Sequence, residues 1–247
     1  MSILRGNMIT KKKSVLILGA SSDIGFEVMK KFIELDWHIY AHYSEGPKKI
    51  SVLRKKYNDI TLIKLNFLNH KNKNFQKLLR KKFKKNYDAV INLVGYVDNR
   101  TYENFDLKST INSFLINSAI PMFIQKIAVA KMIKKKWGRV LNCSSISVKY
   151  GGGKNSFNYA LSKHCLEFIP NSYRQWAKKN VFVNNLRIGV TDTSIHKRMK
   201  KNMKQRLKLI PISRMAKPEE IAEYIVNLTT EKNSYMTGQT ITVAGGE

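Results

Sequence analysis

Tyr159 and Lys163 stand four residues apart in a segment of helical pattern, so their side chains share one face and act on one small volume. A tyrosine with its ordinary pKa of about 10 exchanges protons poorly at neutrality, and a neighbouring ammonium favours the phenolate and brings it into range. The pair suits proton transfer at a carbonyl or hydroxyl oxygen, although the same spacing also arises by chance on amphipathic helices. A second group points to another task. Gly19, Ala20, Ser21, Ser22, Asp23, Ile24 and Gly25 follow a short β-branched run, where a glycine-rich turn lets the backbone approach a pyrophosphate at a helix N-terminus. An ordinary tight turn would use the same glycines, and it is the placement after the first strand that favours phosphate.

Such residues need elements to hold them. SVLIL at 14–18 is a strand, and Ile24, Val28, Phe32 and Leu35 recur behind it at near-helical spacing. The alternation continues with strand 38–43, a helix at 48–56, strand 60–65, a Lys-rich helix at 74–85 and strand 88–94. A long helical stretch through Phe114, Leu115 and Ile127 leads to strand 139–144, a helix at 159–179, strand 181–187, a helix at 218–229 and strand 240–244. Strands separated by helix-length segments imply right-handed βαβ crossovers, hence a doubly wound α/β architecture with a mostly parallel sheet covered on both faces. Residues 1–13 form a basic leader and 14–247 a single Rossmann-type unit. Within it, 191–213 lacks strand pattern and is a candidate substrate lid. Pro170 is expected to kink the helix that contains it.

Composition narrows the function classes. At 247 residues with 43% hydrophobic side chains, the chain has the apolar material for one sizeable core, which argues against a disordered basic protein. No run approaches the roughly 18 apolar residues of a spanning helix, and MSILRGNMITKKK lacks a secretory apolar core, so a cytoplasmic location without membrane attachment is expected. Cys143 and Cys165 have neither CxxC spacing nor a cluster of other ligands, so neither a disulfide framework nor a metal site is implied, and both read as buried free thiols.

From about residue 14 to 247 the sequence resembles the short-chain dehydrogenase/reductase family. Five blocks fall in register: GASSDIG at 19–25, NLVG at 92–95, Asn117, NCSS at 142–145 and YALSK at 159–163. RIGVTDT at 187–193 and SYMTGQTITVAGG at 234–246 are similar to the family's closing segments. The resemblance implies a seven-stranded Rossmann-type sheet and an NAD(P)-dependent oxidoreductase acting on CH–OH groups. Tyr159 would be the general acid that protonates a ketone oxygen as hydride arrives. Lys163 would lower its pKa and bind the nicotinamide ribose, Ser145 would hydrogen-bond the carbonyl, and Asn117 would hold a water linking Lys163 to bulk. Ser144 and Ser147 compete with Ser145 for its role. Among the family's members the chain looks most like 3-oxoacyl-[acyl-carrier-protein] reductases; reduction or oxidation of a sugar, nucleotide-sugar or other small alcohol is the alternative, and a non-catalytic cofactor- or nucleic-acid-binding protein a further one.

The cofactor-binding set implied by the same resemblance is Gly19, Ser21, Ser22, Asp23, Ile24, Gly25, His42, Tyr43, Ser44, Asn66, Phe67, Asn92, Val94, Gly95, Tyr159, Lys163, Gly189, Val190, Thr191 and Thr193. Several positions depart from the commoner pattern. Asp23 replaces a glycine and is tolerable if its side chain turns away to cap the helix. Leu93 and Val94 add bulk to the adenine wall, Ile188 stands where proline usually precedes Gly189 and would loosen that loop, and Asn66 offers an amide oxygen to the adenine amine. At the end of the second strand Ala41, His42, Tyr43 and Ser44 include no acid to bond a ribose 2′-hydroxyl, and Lys48 and Lys49 follow, so NADP(H) is favoured over NAD(H). His42 and Tyr43 covering the adenine, with solvated lysines, is the alternative.

Forty-five Lys and Arg against 17 Asp and Glu leave a formal charge of +28. The lysine runs are spread over most expected helices, as a coding bias toward Lys, Asn and Ile would produce. A positive field would also attract an acidic acyl carrier protein, with Arg100 near its approach, whereas nucleic-acid binding would call for exposed aromatics interleaved with the cations, which are not evident. The family resemblance implies a homotetramer; Phe168, Ile169, Tyr173 and Trp176 would suit its interface or a core equally.

Overall fold

The computed structural model describes residues 12–198 and 203–247. Residues 1–11 of the basic leader and 199–202 of the candidate lid lie outside that description. Seven strands form one sheet: β1 (Ser14–Leu18), β2 (His38–Tyr43), β3 (Ile60–Lys64), β4 (Ala89–Asn92), β5 (Gly138–Ser145), β6 (Val181–Ile188) and β7 (Thr240–Val243). Their order is β3-β2-β1-β4-β5-β6-β7 and every pairing is parallel. Burial on both faces explains why β1 and β4 read as continuous apolar runs.

The helices are α1 (Asp23–Glu34), α2 (Lys48–Lys56), α3 (Phe75–Lys82), α4 (Leu107–Phe114), α5 (Ile120–Lys135), α6 (Phe157–Leu166), α7 (Tyr173–Ala177), α8 (Ile195–Arg198), α9 (Met203–Leu207) and α10 (Pro218–Thr229). Alternate residues of the strands feed two cores. Val15, Ile17, Ile39 and Ile91 meet Val28 and Phe32 of α1 and Ile221 and Ile225 of α10. Leu16, Leu18, Val90 and Val140 meet Phe75 and Leu79 of α3 and Ile120 and Ile124 of α5. Because α10 shares a face with α1, the β6–β7 connection has the opposite hand to the β4–β5 connection, a departure from the uniformly right-handed crossovers expected.

α6 ends at Leu166 and α7 begins at Tyr173, so the single helix expected at 159–179 is two. Pro170 ends a helix instead of kinking one, since the residue before a proline is driven out of the α region. Ile169 and Trp176 pack on the core while Phe168 is 69% exposed. Leu107–Lys135 is long and apolar enough to cross a membrane, yet more than half of its apolar 18-residue window is buried inside the protein. Cys143 is buried, its thiol pushed up to about 12 by burial, whereas Cys165 is only partly covered.

Helices that connect parallel strands run antiparallel to them, so their last turns gather at the sheet edge where the strands begin. There α2 ends in Arg54, Lys55 and Lys56, α3 in Arg80, Lys81 and Lys82, and α5 in Lys134 and Lys135. Several acids at this edge are paired: Asp59 and Asp36 with Lys12, Glu231 with Lys13 and Asp88 with Lys135. The opposite edge, where the strand order reverses between β1 and β4, carries the cleft.

Candidate active site

Tyr159 occupies the first turn of α6, and the start of that helix is pinned. Asn158 Nδ2 donates to Asp98 (2.6 Å) and Ser109 (3.0 Å), and its oxygen accepts from Thr110 (2.8 Å). The Tyr159 side chain lines the cleft at 7% exposure. One turn on, Lys163 is buried, its Nζ donating to Val94 O (2.8 Å) and Cys143 O (2.6 Å) and lying 5.9 Å from the Tyr159 ring centroid. Burial lowers the Lys163 pKa to about 8, so the amine remains mostly protonated at neutrality. An ammonium has three N–H groups, and two carbonyls fix it beside the tyrosine with one left to offer. Gly95 keeps the ring accessible: a Cβ there would lie 3.9 Å from Tyr159 Cε2 and 3.6 Å from Ile195 Cδ1.

Three serines stand at the end of β5, and their environments differ. Ser144 is buried, with Oγ directed to Lys163 O (3.4 Å). Ser145 is half-buried at the cleft and accepts from both the amide (3.2 Å) and the hydroxyl (2.9 Å) of Ser147. A hydroxyl that accepts twice has its own proton free to donate, which suits Ser145 to a carbonyl oxygen.

Asn117 does not line the cleft. Its Nδ2 donates to Tyr96 O (3.0 Å) and Ser162 Oγ (2.8 Å) and its Oδ1 accepts from Tyr96 N (2.7 Å), so the amide fastens the β4 loop to α6. Its side-chain amide is therefore engaged within the protein. The backbone around it is irregular, because residues Leu115–Ala119 form a π-helical turn in which Ile120 N donates to Leu115 O. In the π register Ile116 O would next look to residue 121, and in the α register Asn117 O would; that residue is Pro121, which has no N–H.

The cleft has a volume of about 1340 Å³ and runs from the β1–α1 turn to the flap after β6, more than the roughly 300–1,000 Å³ of a single small-ligand pocket. Gly19 takes φ +81°, and a Cβ on it would stand 3.0 Å from the Leu93 backbone. Ser22 caps α1 by accepting from Gly25 N (3.0 Å), leaving the helix N-terminus facing the cleft. A glycine turn, a capped helix N-terminus and a Tyr–Lys pair in one elongated cleft fit a dinucleotide. The family model described as enoyl-(acyl carrier protein) reductase matches residues 19–247. The chain belongs to the short-chain dehydrogenase/reductase family.

Individual relatives agree with this. The chain is 29% identical over 243 residues to 3-oxoacyl-[acyl-carrier-protein] reductase FabG of Buchnera aphidicola, covering 97% of this chain and 98% of that one. It is 24% identical to the acetoacetyl-CoA reductase of an Acinetobacter strain, covering 96% and 98%. Its fold is similar to that of a 3-oxoacyl (acyl-carrier-protein) reductase from Agrobacterium tumefaciens with NADP bound, with a TM-score of 0.82, 21% identity and coverage of 95% and 94%. This short-chain dehydrogenase/reductase is thus an oxidoreductase.

Most sequence-derived positions meet at the cleft: Gly19, Ser21, Ser22, Asp23, Ile24, His42, Ser44, Asn66, Phe67, Val94, Gly95, Gly189, Val190, Thr191 and Thr193 line it with Ser145, Tyr159 and Lys163. Gly25, Tyr43 and Asn92 do not. Gly25 lies beneath the turn, where a Cβ would sit 2.7 Å from Gly19 O. Tyr43 follows strand alternation onto the α1 side of the sheet. Asn92 shapes the turn after β4 by accepting from Val94 N (3.1 Å).

Other positions differ from expectation in detail. His42 is a buried buttress, accepting from Gly19 N (3.3 Å) and facing Leu65 O (2.9 Å), stacked on Phe67, with its pKa lowered to about 4 by burial. The Asn66 oxygen accepts from Leu68 N (2.9 Å), leaving one lone pair for an adenine. Asp23 does not cap its helix: its carboxylate accepts from Lys49 Nζ (2.7 Å) and Ser194 N (2.8 Å). Ile188 loosens nothing, being the last rung of β6, in register with Ser145 and Val243. Arg100 is held in its own loop by Asp106 and Asn104 O.

Sequence reasoning missed Glu45, which lines the cleft one residue past Ser44, and Arg206 and Glu247, which line its flap side. Glu45 is visible as an acid two residues beyond a strand end. The other two are 41 residues apart, and no local spacing joins them.

Proposed function

We propose that this protein reduces the ketone of a 3-oxoacyl thioester, carried on acyl carrier protein, to the secondary alcohol with NADP(H). The observation that carries the reading is the union of Ser145, Tyr159 and a buried Lys163 in the same cleft as the Gly19 turn. Bound dihydronicotinamide would supply a hydride to the carbonyl carbon. Ser145 donates to the carbonyl oxygen, and Tyr159 gives that oxygen its proton as charge develops there. Lys163 favours the phenolate left behind, and the π turn ahead of Pro121, which has no N–H to offer, would leave a carbonyl for a water through which the proton is restored. The roles of all four residues belong to this proposal, as does one catalytic unit over 14–247 with 191–213 as lid.

For the cofactor, Ser44 at the cleft and Lys48 at the start of α2 support a 2′-phosphate, while Glu45, which lines the cleft, favours a free 2′-hydroxyl and Lys49 is engaged by Asp23. Ser44 and the cation left at Lys48 outweigh the one acid, which leans 3.5 Å from the Asn66 amide. A cytoplasmic homotetramer is part of the same reading. It is supported by Leu107, Ile111 and Phe114 on α4 and Leu161 on α6, all at least 41% exposed.

The test is NADPH oxidation with an acetoacetyl thioester, beside NADH and beside Tyr159→Phe. Turnover that prefers NADPH and falls by about 10²-fold or more in the variant, with folding and NADPH binding retained, is expected. Full activity in Tyr159→Phe would refute the mechanism, and NADPH binding without turnover would refute the substrate.

A further inference from the structure

The flap side of the cleft holds an ion pair with unspent bonding capacity. Arg206 Nη2 donates to Glu247 Oε1, and both residues line the cleft. Glu247 is 3% exposed at its side chain and Arg206 18%. Arg206 Nη1 and Glu247 Oε2 are buried, and neither has a hydrogen-bond partner among the described residues. Each such atom has lost its hydration without gaining a bond, a larger cost when the group is charged, so the pair gains from any group that completes both.

The arrangement is built by the backbone. Gly245 and Gly246 take φ +66° and +98°, and a Cβ on either would press within 2.9 Å of Ile212 or 2.8 Å of Pro211. Ile212 N donates to Gly245 O (3.2 Å), fastening the segment after β7 under the flap. These two turns bring Glu247 opposite Arg206.

The vacant positions are a guanidinium NH2 and a carboxylate oxygen on adjacent groups. An anion drawn to Nη1 would be repelled by Oε2 and a cation the reverse, so the pair selects a neutral group that accepts and donates at once. We infer that Arg206 and Glu247 form a substrate subsite for the amide nearest the thioester in a carrier-borne substrate. This inference rests on the proposed 3-oxoacyl thioester reductase activity and adds how the carrier arm is told from a plain ester. A site whose buried polar groups are left unpaired by the wrong ligand discriminates far more strongly than an apolar one.

The experiment compares two thioesters of acetoacetate, one with N-acetylcysteamine and one with butanethiol, which lacks the amide. The wild-type protein is expected to favour the amide-bearing ester by tenfold or more in kcat/KM. In Arg206→Met and in Glu247→Gln that ratio should fall toward one, with the change in KM for the amide ester and little in kcat. Glu247→Gln preserves shape and serves if Arg206→Met fails to fold. A wild-type ratio near one, or a ratio that both variants leave unchanged, overturns the subsite. Silence with both esters from protein that binds NADPH overturns the proposed function, and the subsite with it.

Discussion

Replacing Lys163 by methionine should change stability in a pH-dependent way that isolates one buried amine. Its folded pKa is about 8 against an ordinary 10.5, because burial penalises the charged form. At about 1.4 kcal/mol for each pH unit between those values, the ammonium costs the folded state about 3 kcal/mol when both states are protonated. Between the two values the unfolded chain binds a proton that the folded chain has released, so folding stability rises with pH through that window. Raising pH from about 7 to about 9.5 should therefore stabilise the wild type by about 2 kcal/mol relative to Lys163→Met. The difference cancels the many surface lysines common to both proteins. Methionine also leaves Val94 O and Cys143 O unpaired, a penalty that shifts the variant equally at every pH. Urea unfolding of both proteins at several pH values reads the difference directly. A flat difference, or one that falls with pH, would mean that Lys163 is not desolvated. Under the proposed mechanism the same titration should set an alkaline limit on catalysis, since loss of the ammonium near pH 8 would remove the charge that favours the phenolate.

Two further outcomes are expected. Lys48→Glu should raise KM for NADPH about tenfold, worth about 1.4 kcal/mol, and KM for NADH much less; equal rises would refute 2′-phosphate recognition beyond β2. Asp23→Asn should tighten NADPH binding by removing a carboxylate from beside the pyrophosphate and should quicken hydrogen exchange at Ser194; unchanged affinity and exchange would show that Asp23 neither opposes the cofactor nor holds the flap.

Local signals served the strands and the reacting residues well. The second strand is found where its β-branched and aromatic alternation places it, and Tyr159 and Lys163 share a face because helix geometry fixes that spacing. Failures came where a residue's fate is settled by something distant in sequence. Asp23 meets an amide 171 residues away and Glu247 an arginine 41 away, and neither partner is visible in any window of local pattern. His42 and Tyr43 were separable by strand alternation, but which face held the cofactor was not known without the sheet. The side-chain partners of Asn117 lie outside any local window, since only packing brings Tyr96 and Ser162 to its amide.

The sorting of cations onto one edge bears on how a chain so rich in lysine can fold at all. A lysine in the last turn of a helix gains about 0.3–1 kcal/mol from the partial negative charge of the carbonyls there. In a parallel α/β protein every connecting helix presents that end to the same side, so the architecture supplies a row of sites at which added positive charge is welcome. Drift in composition toward lysine is thereby absorbed at the rim farthest from the chemistry. The reacting groups keep a local field set by a few fixed neighbours, while the remainder of the surface is free to change.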